Sequence, residues 1–145
     1  MPTIDQYNPL QASYDKTIRL QDLETPYYRE RVTFFVPGTL AVGANQITDF
    51  KFNRAVRLED GYAHVKVAPT TTAITIELNK TGTPLATLIT IAAGANSGQV
   101  TLSEDANAQF AATDDLDIDI NQVGGLEPGT DLNIVLTTRD DIQGS

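Results

Sequence analysis

Residues 116–120 read Leu-Asp-Ile-Asp-Ile. Apolar and acidic side chains alternate with a period of two, the spacing that sends successive residues of a strand to opposite faces. Leu116, Ile118 and Ile120 share a buried face, and Asp117 and Asp119 a solvated one. Residues 74–78, Ile-Thr-Ile-Glu-Leu, alternate in the same way, and residues 132–136, Leu-Asn-Ile-Val-Leu, make the closing strand.

Outward from these stretches, residues 31–36 (Arg-Val-Thr-Phe-Phe-Val) form a β-rich run that Pro37-Gly38 is expected to end. Thr39 to Val42 and Ile47 to Phe52 are the next two candidates. Val56 to Val67 alternates on both sides of Asp60-Gly61. Asp-Gly tolerates the positive φ of a tight turn, so a hairpin is expected there. Leu85 to Ile91 is longer and more apolar and reads as a central strand. Gly94 to Gly98 reads as a turn, Val100 to Leu102 as a strand, and Glu104 to Thr113 as a loop. About eight or nine strands separated by Gly/Pro turns, with no convincing helix, predict an antiparallel β-sandwich of jelly-roll or Greek-key type.

Residues 1–30 differ. Pro2, Pro9 and Pro26 interrupt them, their apolar residues are scattered, and their composition is that of an extended segment. The expected organisation is an N-terminal arm, 1–30, and a sandwich domain, 31–145. Fully extended, the arm reaches roughly 100 Å. Four of the five tyrosines (Tyr7, Tyr14, Tyr27 and Tyr28) lie in it, together with Ile4, Leu10, Ile18, Leu20 and Leu23. Tyrosine offers apolar area with a polar tip and is enriched at interfaces. Arg19, Arg29 and Arg31 add donors suited to carboxylates. These seven residues, Tyr7, Tyr14, Arg19, Tyr27, Tyr28, Arg29 and Arg31, are the candidate partner-binding set.

The chain has no cysteine, so stability must come from packing, backbone pairing or oligomerisation. Its first ten residues have neither a basic nor an apolar signal-peptide region, and no apolar run approaches a membrane span. A soluble protein is expected, with no membrane partner. The net charge of −9 is uneven. Residues 1–67 hold eight acids and eight bases, whereas residues 68–145 hold eleven acids against Lys80 and Arg139. An anionic surface repels nucleic-acid phosphates.

Candidate chemistry is sparse. The acids Asp114, Asp115, Asp117 and Asp119 could suggest calcium, which needs six to eight converging oxygens. Their alternation with apolar residues reads instead as a wet strand face, and no EF-hand glycine and glutamate accompany them. His64 is the single histidine and has neither a nucleophile nor a metal motif beside it. A carboxylate pair alone could make a glycosidase, but no spacing favours one and there is no tryptophan for a sugar to stack on. No catalytic residue, metal ligand or cofactor site is expected.

Several stretches together resemble a β-sandwich domain common in structural proteins of tailed bacteriophages. They are Val36-Pro-Gly-Thr-Leu, Ala63-His-Val-Lys-Val-Ala-Pro-Thr, Ile74-Thr-Ile-Glu-Leu-Asn-Lys-Thr-Gly-Thr, Ile91-Ala-Ala-Gly-Ala-Asn-Ser-Gly, Leu116-Asp-Ile-Asp-Ile-Asn-Gln-Val-Gly and Pro128-Gly-Thr-Asp-Leu. The resemblance implies a non-enzymatic, often trimeric domain found on capsid decoration (cement) proteins, head fibres and tail fibres. With only a short arm attached, the expectation is a decoration protein, made in the host cytoplasm and bound to the capsid exterior. Its partner would be the major capsid protein, with the protein itself a homotrimer. The alternative is a fibre module that binds a host surface receptor or glycan.

Overall fold

The computed structural model describes residues 29–140. Ten strands follow in order: β1 (Arg29–Thr39), β2 (Gly43–Phe50), β3 (Val56–His64), β4 (Ile74–Lys80), β5 (Thr83–Pro84), β6 (Ile89–Ile91), β7 (Ser97–Thr101), β8 (Gln109–Phe110), β9 (Leu116–Gln122) and β10 (Thr130–Asp140). Among the described residues there is no helix. All strand pairs are antiparallel.

The strands form two sheets. The first runs β1-β10-β3, and β7 and β8 share the far edge of β3. The second runs β2-β9-β4, and β5 and β6 share the far edge of β4. The path is a long hairpin rolled up. Each outgoing strand pairs with its returning partner: β1 with β10, β2 with β9, β3 with β7 and β8, β4 with β5 and β6. Alternate pairs go to alternate sheets. This is the jelly-roll form of the β-sandwich.

The alternating residues fill the space between the sheets. Phe34, Val56, Leu58, Leu132, Ile134 and Leu136 face inward from the first sheet, and Ile74, Ile76, Leu78, Leu116, Ile118 and Ile120 from the second. Each such aliphatic or aromatic side chain stabilises the fold by roughly 1.5–3 kcal/mol relative to exposure. At the β1–β2 side, Phe34, Phe50, Phe52 and Phe110 form an edge-to-face chain with centroids 5.1, 5.1 and 5.5 Å apart. That geometry places ring edges on ring faces, which aromatic quadrupoles favour.

Five local expectations change. Asp60-Gly61 is not a turn: β3 continues through it, with a bulge at Glu59 just before it and Gly61 opposite Leu136 and Val100. Gly61 faces the core, where a Cβ would lie 2.8 Å from Ile89 Cδ1. The residue makes room for the opposing sheet. Pro37-Gly38 does not end β1. It sits in a bulge between the Thr39–Thr130 and Val36–Leu132 pairs, where Gly38 adopts φ +79°. Leu85 to Ile91 is not a central strand. Only Ile89–Ile91 is strand, and β6 is an edge, because burial of Leu85 comes from its loop packing into the core. The expected strand from Thr39 to Val42 is absent: Thr39 ends β1 and Leu40 to Val42 join it to β2, and the loop after Glu104 contains β8.

That loop is pinned by Asp105. Its Oδ2 accepts a hydrogen bond from the Thr87 amide and its Oδ1 one from the Asn107 amide, both at 2.9 Å. Burial pushes the Asp105 carboxyl up, but these hydrogen bonds outweigh it and hold the group below its ordinary value.

Candidate functional site

Of the seven residues in the partner-binding set, Arg29 and Arg31 are described, and both belong to β1. Tyr7, Tyr14, Arg19, Tyr27 and Tyr28 lie outside the described residues. The strand begins at Arg29, two positions before the expected boundary. Arg29 and Arg31 therefore have fixed register on the first sheet.

That register sets out the sheet's outer face. Val32, Phe34 and Val36 point toward the core, so Arg29, Arg31, Thr33 and Phe35 point away from it. Phe35 lies level with Asn133, His64 and Ser97. Thr33 lies level with Val135, Tyr62 and Gln99, and Arg31 with Thr137, Asp60 and Thr101. Arg29 lies level with Arg139 and Arg57. Arg31, Asp60, Tyr62, Gln99, Val135 and Thr137 line an open groove of about 390 Å³. Phe35 is 52% exposed and Tyr62 38%. Sequence patterning missed this patch, although adjacent aromatics gave a signal. Phe34-Phe35 in one strand must turn one ring to each face.

The arginines at one end of this face are ordered. Glu59 accepts Arg29 Nε at 2.8 Å and pairs with Arg139 Nε at 3.1 Å. Arg57 donates to the Ser103 carbonyl through Nε and Nη2 at 3.2 and 2.8 Å. Arg54 bridges two strand ends: Nε donates to Asp140 Oδ1 of β10 at 2.7 Å, and Nη2 donates to Glu30 of β1. The bonds to Asp140 and Glu30 hold the Arg54 guanidinium above its ordinary value. Among the described residues, no carboxylate forms an ion pair with Arg31.

The second sheet presents the opposite character. Its outward residues include Asp49, Glu77, Asp117 and Asp119, with Asp119 directly opposite Glu77. Like charges in that position repel. The arrangement persists because the aspartates have a structural task. Asp117 Oδ1 accepts the Asp49 amide at 2.8 Å, and Asp119 Oδ1 accepts the Asn45 amide at 2.7 Å. Asp119 Oδ2 also accepts Asn79 Nδ2 at 3.0 Å. Asn45 and Asp49 both have φ +56°, and each sits in one of the two register shifts between β2 and β9. Asp131 repeats the device on the first sheet, its Oδ1 accepting the Gly38 amide of the β1 bulge at 2.8 Å. In all three cases an aspartate on the neighbouring strand satisfies the amide that a bulge takes out of the ladder. Lys51 pairs with Asp115 at the end of β2; that hydrogen bond is the main reason the ammonium titrates above its ordinary value.

The arginines thus collect on the first sheet, interleaved with Glu59 and Asp60, whichever half of the sequence they come from, whereas the outward charges of the second sheet are mainly acidic. Arg139, from the acidic half, joins Arg29, Arg31 and Arg57 on the first sheet. Asp49, from the balanced half, joins the acids of the second. His64 lies exposed on the first sheet between Asn133 and Ser97. Among the described residues no three His, Cys, Asp or Glu side chains gather into a metal-binding group. Comparison with protein-family models and with curated proteins yields no match for this chain.

Proposed function

We propose that this protein is a non-enzymatic virion component, a capsid decoration protein that attaches to the outer capsid surface. Residues 1–28 and the outer face of the first sheet form its attachment side. One observation carries the reading: the exposed aromatics Phe35 and Tyr62 share a face with Arg29 and Arg31, while the opposite sheet turns its acids outward. Exposed aromatics beside arginine are the composition of protein interfaces. The tyrosine-bearing segment joins the domain at Arg29, on that same sheet. The resemblance to phage sandwich domains supplies the virion context, and jelly rolls recur in viral capsids, a fold-level analogy.

In this reading the acidic second sheet faces solvent and keeps particles from aggregating. The partner is the major capsid protein and the protein is a homotrimer, whose repeated anchors gain from effective concentration. The test is binding to purified shells that lack the protein. Binding should saturate, weaken on Arg31→Glu, and change little on Asp117→Asn. Failure to bind shells rejects the reading. The alternative, a fibre module for a host receptor or glycan, draws on the Tyr62, Asp60 and Gln99 groove. Binding to cells and not to shells selects it. Light scattering that gives a monomer mass, free and after release from particles, rejects the trimer.

A further inference from the structure

The two sheets end in edges of different kinds. On the second sheet, β2 is broken by two bulges with left-handed residues at Asn45 and Asp49. The split edges β5/β6 and β7/β8 are two to five residues long. Bulges and shortness are the ordinary ways of blunting an edge against pairing with another chain. Over Arg29 to Val36 the β1 edge has neither. From Arg29 to Val36 it stays in unbroken register with β10, and its bulge comes only at Pro37-Gly38. Its other side pairs with no described strand. The central residues Val32-Thr-Phe-Phe-Val36 are uncharged and strongly β-prone. Such an edge is a template for strand addition.

The side chains along the edge specify what it would accept. Arg31, with no ion pair among the described residues, and Arg29, held by Glu59 through Nε with its side chain 68% exposed, point outward at one end. Phe35 points outward at the other, beside the groove of Tyr62 and Val135. We propose that the edge of β1 that no described strand covers binds an extended, carboxylate-bearing segment of a partner protein by strand addition. Its backbone pairs with residues 30–36, its acidic side chains lie beside Arg29 and Arg31, and an apolar one covers Phe35. A second copy fits less well. The carboxylate on its own β1, Glu30, is already held by Arg54, and its acidic β2 edge is bulged. A polyanion also fits less well, because Asp60 lies in the groove next to Arg31. The proposal does not depend on the partner being a capsid subunit.

The test uses the full chain, isotopically labelled, with an end-capped peptide of alternating valine and glutamate as probe and its lysine counterpart as control. Amide exchange is followed residue by residue. The glutamate peptide should bind saturably and slow exchange across residues 30–36, the lysine peptide should do neither, and Arg31→Glu should weaken binding about tenfold. Any of these outcomes overturns the proposal: no binding, binding that leaves residues 30–36 unchanged, equal binding of both peptides, or an edge already protected in the dilute protein before peptide is added. Protection that appears only as protein concentration rises also overturns it and makes a second copy the occupant.

Discussion

Gly61 gives the sharpest test of the packing. The position faces the core from the middle of β3, and a Cβ there would stand 2.8 Å from Ile89 Cδ1, 3.0 Å from Ile89 Cγ1 and 3.2 Å from Leu102 Cδ1. The clash is with side-chain carbons rather than backbone, so Ile89 must rotate or shift. Overpacking of this kind costs about 1–3 kcal/mol. Replacing glycine within a strand returns about 0.5–1 kcal/mol. Gly61→Ala should therefore destabilise by about 1–2 kcal/mol net. Ile89→Val removes the Cδ1 that the new methyl meets, and alone costs about 0.5–1.5 kcal/mol through lost burial. In the double variant the alanine methyl occupies the vacated space. The two effects should then fall short of additivity by about 1 kcal/mol, the size expected for residues in contact. Urea denaturation followed by circular dichroism measures all four species, with a constant denaturant slope as the check on two-state behaviour. Strict additivity, or a neutral Gly61→Ala, would refute the placement of Gly61 against Ile89. A loss in Gly61→Ala that Ile89→Val leaves untouched would return Asp60-Gly61 to the role of a turn.

Further outcomes follow from single groups. The Thr138 hydroxyl is fully buried with no hydrogen-bond partner among the described residues, so Thr138→Val should stabilise by about 0.5–1.5 kcal/mol; a loss in urea midpoint would show the hydroxyl is satisfied. Asp119→Ala leaves the Asn45 amide and the Asn79 side chain without their acceptor and should cost about 1–3 kcal/mol, with exchange accelerating at Asn45. Unchanged exchange there would separate the aspartate from the bulge. Because the Asp105 carboxyl titrates below its ordinary value when folded, its stabilisation is present above the unfolded pKa of about 3.9 and lost as pH falls through the folded value. The urea midpoints of the natural chain and Asp105→Asn should converge as pH drops below about 4, and a gap that stays constant with pH would contradict this.

How much was legible can be traced residue by residue. Ile74 to Leu78, Leu116 to Ile120 and Leu132 to Leu136 announced their strands, because a period of two has one efficient solution when half the residues are apolar. The all-β sandwich followed from many such runs. Turn chemistry misled at Asp60-Gly61 and Pro37-Gly38. A glycine's meaning depends on what approaches it, and Ile89 lies in another sheet, 28 positions along the chain. The acidic alternation was legible as a wet face, but not as the support of two bulges, nor Asp131 as the support of a third. The amides at Gly38, Asn45 and Asp49 come from strands 68 to 93 residues away in sequence.

Composition and periodicity by themselves determined the strand-rich class, the inward residues and the absence of cysteine chemistry, since these depend only on local order and residue type. The folded arrangement decided which charges share a surface. Strand pairing in a jelly roll joins residues from opposite ends of the chain, so Arg29 lies beside Arg139 and Asp119 opposite Glu77. It also decided that β1 would keep one side unpaired by any described strand while β2 is blunted, because an edge exists only once strands have been assigned to a sheet.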